Sequence, residues 1–422
     1  MSEVVNTLLR GVRHLDKRLT RRSDRRRILV DARTPVNFTM IAPVFHAMQA
    51  DPRVEFYFTA TEEPARMAAI YHEALAAEGS RGPSTGSGPS RASSRGGQTG
   101  RIRLIHPRRA AVVRFDAYIA SDFMWAPLLR DTARIQIFHG VGGKYGFDAP
   151  DRSMREWHRL FFVNERRLKN FIACGAIDAD SPAIRLVGMP KVDCLVDGTY
   201  RRDYVLQALG LDPSRPTVLY APTWSPASSL NAMGVELIEA LGRMPVNVIM
   251  KLHDRSRDLR ERYSGGVDWA ARLQPLLTPG KGALAPGHDI SPYLVAADVM
   301  VTDHSSAGFE YLLRDRPLVR IHRPQLIELA NVHPAYVELL ASVSRSVDDL
   351  PAALAAIERA LANPDEQRAD RRRVAADLFY RPGGATGRSV RELYDVIELA
   401  SAPAVSAALR QPEVEERWQQ SA

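Results

Sequence analysis

Apolar residues fall into short dense runs, each followed by a stretch in which they recur at helical spacing. The runs at 28–30, 54–58, 102–105, 118–120, 135–138, 160–163 and 184–187 predict buried strands. Between the first two, a turn at 34–37 contains Pro35, and Asn37 is placed to cap a helix running to 48. A second helix is expected over 62–77. A new series begins near Pro216, with strands at 218–220, 246–250, 299–301 and 318–321 and helices at 234–241 and 292–297. Beyond 347 the chain reads as helical to its end, with apolar stripes over 352–361, 366–378 and 387–400. Strands alternating with helices point to parallel α/β sheets. Two such series predict two Rossmann-like domains facing a central cleft, with C-terminal helices. Ligands of such sheets sit at the carboxyl ends of the strands. The expected domains are an arm over 1–27, an α/β domain over 28–205, a second over 206–385, and a helix and tail over 386–422.

Composition changes this picture in three places. Residues 79–100 contain seven Gly, six Ser and two Pro, too little apolar surface to pack, so they are expected to form a flexible insertion. The formal charge is +8, but residues 1–27 hold nine cations against three anions, a net +6. The remainder is near neutral and offers no case for nucleic-acid binding. Within the arm, Val5, Leu8, Leu9, Val12, Leu15 and Leu19 form an apolar stripe, which predicts a basic amphipathic helix suited to an anionic membrane surface. Only Cys174 and Cys194 are present, which fits a reducing cytoplasm and speaks against a disulfide framework or a zinc site. No apolar run approaches transmembrane length, and no secretion signal is read at the N-terminus.

Candidate chemistry collects at the expected strand ends. His139 and Gly140 follow one strand, Thr223 and Trp224 another, Lys251 and His253 a third, and Thr302, Asp303, Ser305 and Ser306 a fourth. A turn of small hydroxyl residues opening a helix can hold an anion, since free backbone N–H groups point there; a plain serine cap draws on the same donors. A histidine with an ordinary pKa of about 6.5 suits removal of a hydroxyl proton. The run HGVGGK at 139–144 is neither a Walker A motif, which needs Gly where Phe138 stands, nor a GxGxxG fingerprint, which needs Gly where Tyr145 stands. Asp178 and Asp180 have DxD spacing but lie in a loop between elements, and no metal site is assigned to them.

Five motifs occur in order: HGVGGK (139–144), GMPKVD (188–193), LYAPTW (219–224), MKLH (250–253) and TDHSSAGFE (302–310). Together they resemble the CDP-glycerol glycerophosphotransferase family, the teichoic-acid primer and polymer enzymes, across roughly residues 130–320. The resemblance implies a GT-B-like fold and transfer of glycerol phosphate from CDP-glycerol, or a related CDP-polyol, to an acceptor hydroxyl, with release of CMP. It implies a lipid-linked or glycan acceptor and a cytoplasmic enzyme lying peripherally on the inner face of the cell membrane. No cofactor is required, and the sequence leaves open whether a divalent cation assists.

Carried over by position, the resemblance makes His139 the candidate base and His253 a second catalytic histidine near the donor diphosphate. Thr223, Lys251, Thr302, Ser305, Ser306 and Glu310 fall on the donor side, which belongs to the domain over 206–385. Gly140, Lys144, Gly188, Lys191 and Asp193 fall on the acceptor or cleft side. The chain departs from the family pattern at 141–143, where Val-Gly-Gly replaces Thr-Pro-Leu, and at Asp254, His304 and Glu310, where Pro, Tyr and Asp are usual. Two other enzyme readings share this architecture, a GT-B glycosyltransferase and a UDP-sugar 2-epimerase. A third reading is an inactive, membrane-recruited nucleotide-binding protein.

Overall fold

A computed structural model describes residues 24–72, 102–142 and 152–408 of the chain. The expected insertion at 79–100, the arm up to residue 23, Lys144 and the tail beyond 408 lie outside the described residues. Contacts divide the chain into two compact units. Among the described residues, one comprises 24–72, 102–137, 156–160 and 387–408; the other comprises 138–142, 152–155 and 161–386.

The described residues build thirteen strands. They are β1 (Arg26–Asp31), β2 (Val54–Thr59), β3 (Ile102–Leu104), β4 (Ala117–Ser121), β5 (Ala133–Ile137), β6 (Arg159–Phe162), β7 (Ile184–Leu186), β8 (Thr217–Tyr220), β9 (Asn247–Met250), β10 (Gly282–Leu284), β11 (Val299–Thr302), β12 (Leu318–Ile321) and β13 (Arg345–Val347). One sheet has seven strands in the order β3-β2-β1-β4-β5-β6-β7, and the other has six in the order β10-β9-β8-β11-β12-β13. The pairings β1–β2, β1–β4, β2–β3 and β4–β5 are parallel, as are all five in the second sheet. Parallel strands are covered on both faces, which explains why they read as continuous apolar runs rather than as alternation.

In the first unit, the helix Pro35–Met48 starts one turn earlier than expected. Pro35 occupies its first turn, where its missing N–H costs nothing, and Thr34 is the cap, accepting from Asn37 N at 3.2 Å. Asn37 lies inside the helix instead, donating from Nδ2 to Asp122 at 2.6 Å. The helix packs Phe38 and Phe45 edge-on against Phe58, and Phe38 also against Tyr71. The expected helix over 62–77 begins as a 3₁₀ turn, Pro64–Arg66, followed by one helical turn, Met67–Ile70.

The boundary of the basic arm also moves. Arg26 is not part of a solvated charge run: it opens β1, is buried, and donates to the carbonyls of Ile397 at 2.6 Å and Glu398 at 3.2 Å.

In the second unit, Val218, Val248, Val299, Val301 and Val319 of the sheet pack with Leu237, Leu241, Trp269 and Ile357 in one core. The helix expected over 234–241 runs Ser229–Arg243 with a non-helical residue at Met233. Two strands, β10 and β13, were not foreseen. Each is three residues long, and neither presents a dense apolar run.

Candidate active site

In the six-stranded sheet the chain runs outward from β8 through β9 to β10, then returns to the other flank of β8 and runs through β11 and β12 to β13. The winding direction reverses between β8 and β11, and at such a reversal the connections part and leave a crevice at the strands' carboxyl ends. Four of the expected donor-side positions, Thr223, Thr302, Ser305 and Ser306, stand on the two exits that flank it. Lys251 and His253 stand on the exit of β9, the next strand along.

The two exits at the reversal are fastened by Asp303, which is completely buried. Its Oδ1 accepts from Thr223 N at 2.8 Å, and its Oδ2 accepts from Ser229 N at 3.1 Å and Ser229 Oγ at 2.9 Å. Thr302 Oγ1 adds a bond to the carbonyl of Ala221 at 2.6 Å. Thr302 is therefore a brace between strands, with its hydroxyl turned into the fold.

Beyond Asp303 the chain turns into the helix Ala307–Tyr311, which continues as the 3₁₀ turn Leu312–Arg314. Ser305 Oγ accepts from Ala307 N at 3.3 Å, while Ser306, at the cap position, makes no side-chain capping bond. Capping thus accounts for Ser305 and not for the Ser306 hydroxyl. The amides of Gly308 and Phe309 bond back to the carbonyls of Ser305 and Ser306, so fewer helix-start donors face outward than the sequence suggested. His304 is wholly buried, with its ring 5.9 Å from that of His322.

At the exit of β9, Lys251 is buried and Nζ donates to the carbonyls of Pro286, at 3.3 Å, and Gly287. His253 Nδ1 accepts from Arg255 N at 3.1 Å, which assigns the ring proton to Nε2 in the neutral imidazole. The Arg255 guanidinium lies 4.4 Å over the ring of Trp224 and 5.2 Å over that of Tyr263, a cation–π contact that pins the β9 exit to the β8 exit.

His139 and Gly140 follow β5. Gly140 sits at φ +66°, in the left-handed region where a side chain would be strained. Arg167 lies along this turn. Its guanidinium stacks 4.1 Å from the Phe138 ring centroid, and Nη1 reaches the carbonyls of Gly140 at 3.4 Å and His139 at 3.5 Å. Asn164 holds the next residue, donating to Val141 O at 3.2 Å and to Leu378 O at 2.9 Å. Neither Asn164 nor Arg167 belongs to a motif, so sequence reasoning passed over both.

The family model of the CDP-Glycerol:Poly(glycerophosphate) glycerophosphotransferases matches residues 107–399. The chain belongs to this family. No curated protein matches it in sequence. Among solved structures it is similar to the wall teichoic acid polymerase TagF, with a TM-score of 0.60 at 14% identity over 93% of this chain and 98% of TagF. A TagF variant soaked with CDPG gives a TM-score of 0.59 at 14% identity over 94% and 99%. A UDP-N-acetylglucosamine 2-epimerase gives 0.52 at 14% identity over 93% and 98%. At these identities the likeness shows the fold, which is GT-B-like.

The remaining expected positions of this glycerophosphotransferase are tied into its frame. Lys191 and Glu310, expected on the acceptor and donor sides respectively, are paired with each other: Nζ lies 2.9 Å from Oε1 and 2.6 Å from Oε2, and both side chains are buried. Burial acts to lower the Lys191 pKa, but Glu310 outweighs it and raises the value. Asp193 Oδ1 accepts from Gly383 N at 2.8 Å and Ala385 N at 3.1 Å, and Oδ2 accepts from Thr386 N at 2.7 Å. It thereby caps the helix Ala385–Val396, and its amide donors oppose the burial that raises its pKa. Gly188 turns at φ +86° and donates to Phe162 O at 3.1 Å. Asp178 is exposed and lies 3.6 Å from Arg155. Among the described residues no group of His, Cys, Asp and Glu is disposed to hold a metal ion, and no helix is long and apolar enough to cross a membrane.

Proposed function

We propose that this glycerophosphotransferase transfers glycerol phosphate, or a related polyol phosphate, from a CDP-linked donor to an acceptor hydroxyl in the synthesis of a cell-wall or surface glycopolymer. The diphosphate is received at the turn after β11 by the Ser306 hydroxyl, with His253 Nε2–H as a donor from the exit of β9. His139 takes the proton of the acceptor hydroxyl. That oxygen attacks the β-phosphorus, the bond from this phosphorus to the bridging oxygen breaks, and CMP leaves. The charge on CMP is met by His253 and the serine turn, while Lys251 fixes the loop beside them. Fixed donors of this kind supply most of the catalysis in phosphoryl transfer, because they need no rearrangement as charge moves.

The observation that carries this reading is the Ser306 hydroxyl, which makes no capping bond at the point where the winding of the sheet reverses. The TagF structure soaked with CDPG, on the same fold, adds support. A thermal-shift screen of the full chain tests it. CDP-glycerol or CDP-ribitol at about 100 times its Kd should stabilise the protein by about 2.7 kcal/mol and raise the melting temperature measurably. UDP-sugars should leave it unchanged. A shift with UDP-sugars alone would favour the epimerase or glycosyltransferase reading.

A further inference from the structure

The turn that follows β10 is held by side chains from several elements. Lys251 Nζ donates to the carbonyls of Pro286 and Gly287, Tyr293 OH donates to Pro286 O at 2.8 Å, and Arg257 Nη2 reaches Ala285 O at 3.5 Å. The next contact pairs two side chains that the proposed reaction does not use: His288 Nδ1 lies 2.7 Å from Asp254 Oδ1. The other oxygen, Asp254 Oδ2, is buried and has no hydrogen-bond partner among the described residues.

A buried acceptor without a donor is costly and calls for an occupant. The charge state limits what that occupant can be. Burial acts to raise the Asp254 pKa, but the His288 hydrogen bond and the electrostatic influence of the neighbouring His288, His253 and Lys251 side chains outweigh it and hold the value below the ordinary 3.8. The group is therefore an anion near neutral pH. An anionic oxygen repels phosphate and accepts from O–H or N–H. It also lies one residue from His253, on the exit that bears Lys251.

We propose that Asp254 Oδ2, oriented by His288, accepts a hydrogen bond from a hydroxyl of the CDP-linked donor and so helps select it; this rests on the donor reading given above. Two hydroxyl sources have the same chemistry, the ribose and the glycerol. Isothermal titration of CDP-glycerol and of CMP into the full-length protein separates them. Asp254→Ala should weaken CDP-glycerol binding about tenfold to a hundredfold, the usual size of a hydrogen bond to a charged group. His288→Ala should weaken it less, because the charged oxygen remains but loses its orientation.

If the ribose supplies the hydroxyl, CMP should weaken to the same degree in Asp254→Ala. If the glycerol supplies it, CMP should bind that variant as it binds wild type. Either pattern supports the proposal. Wild-type affinity for CDP-glycerol in folded Asp254→Ala overturns it. Should that variant fail to fold, Asp254→Asn, which keeps the shape and loses the charge, carries the test: a several-fold loss is expected, and unchanged affinity overturns the proposal. A wild-type protein that binds no CDP-glycerol overturns the donor reading as well.

Discussion

Changing Lys191 to methionine should destabilise this protein by about 3–5 kcal/mol, the usual cost of removing one partner from a buried ion pair. The cause is Glu310, whose carboxylate would stay buried, at 4% exposure, without the ammonium that meets both its oxygens. The pair joins the 3₁₀ turn Pro190–Leu195 to the helix that follows the serine turn, so the loss should loosen the serine turn too. A second change, Glu310→Leu, should recover most of the stability, because replacing both partners of such a pair with apolar groups is often close to neutral. Thermal melts of the single and double variants check this. A single variant that melts with wild type would show that the pair contributes little.

The same pair sets a pH dependence. The Lys191 pKa is raised, so the stabilisation is complete below the ordinary lysine value of 10.5 and fades as pH climbs through the higher folded value. Melting temperature should therefore drop more steeply above pH 10.5 in wild type than in the double variant.

The second large effect concerns turnover. His139→Ala should lower kcat by about 10²-fold or more, the usual contribution of a positioned general base. Its affinity for the CDP-linked donor should not change, since donor contacts are assigned to the exits of β9 and β11. The comparison with Arg167→Ala is informative. Arg167 touches the turn through the carbonyls of His139 and Gly140 and through the Phe138 ring, so its loss should misplace the imidazole without removing it. Single-turnover rates with saturating donor separate the two. A His139→Ala enzyme with wild-type kcat would remove the base from the mechanism.

The fold was legible in the sequence because parallel strands are buried on both faces. Runs such as Val299, Met300 and Val301 report that burial directly, and the loops between them carry the polar groups. The strands that escaped notice, β10 and β13, have a glycine or charged residue at one end and too few apolar positions to register. The layout of the candidate site was legible in part. Thr223, His253, Ser305 and Ser306 follow strands, and strand ends can be read from pattern. What pattern does not carry is the identity of partners far apart in sequence. Lys191 meets Glu310 across 119 positions, Asp193 meets Thr386 across 193, and Asp254 meets His288 across 34. In the sequence Lys191, Asp193 and Glu310 read as separate site candidates and Asp254 as a departure from the family pattern, while Thr386 and His288 carry no signal of their own. Arg26 shows the same limit at a smaller scale, where a run of arginines concealed the first residue of a strand.

Among measurements on the intact enzyme, the most direct identifies the nucleotide released from CDP-glycerol in the presence of a glycopolymer acceptor. Attack at the β-phosphorus cleaves the pyrophosphate bridge, so CMP should appear, in equal amount with glycerol phosphate joined to the acceptor, and both should form at least about 10²-fold more slowly in His139→Ala. Release of CDP would mean that the glycerol carbon–oxygen bond breaks instead, and that outcome would contradict the account.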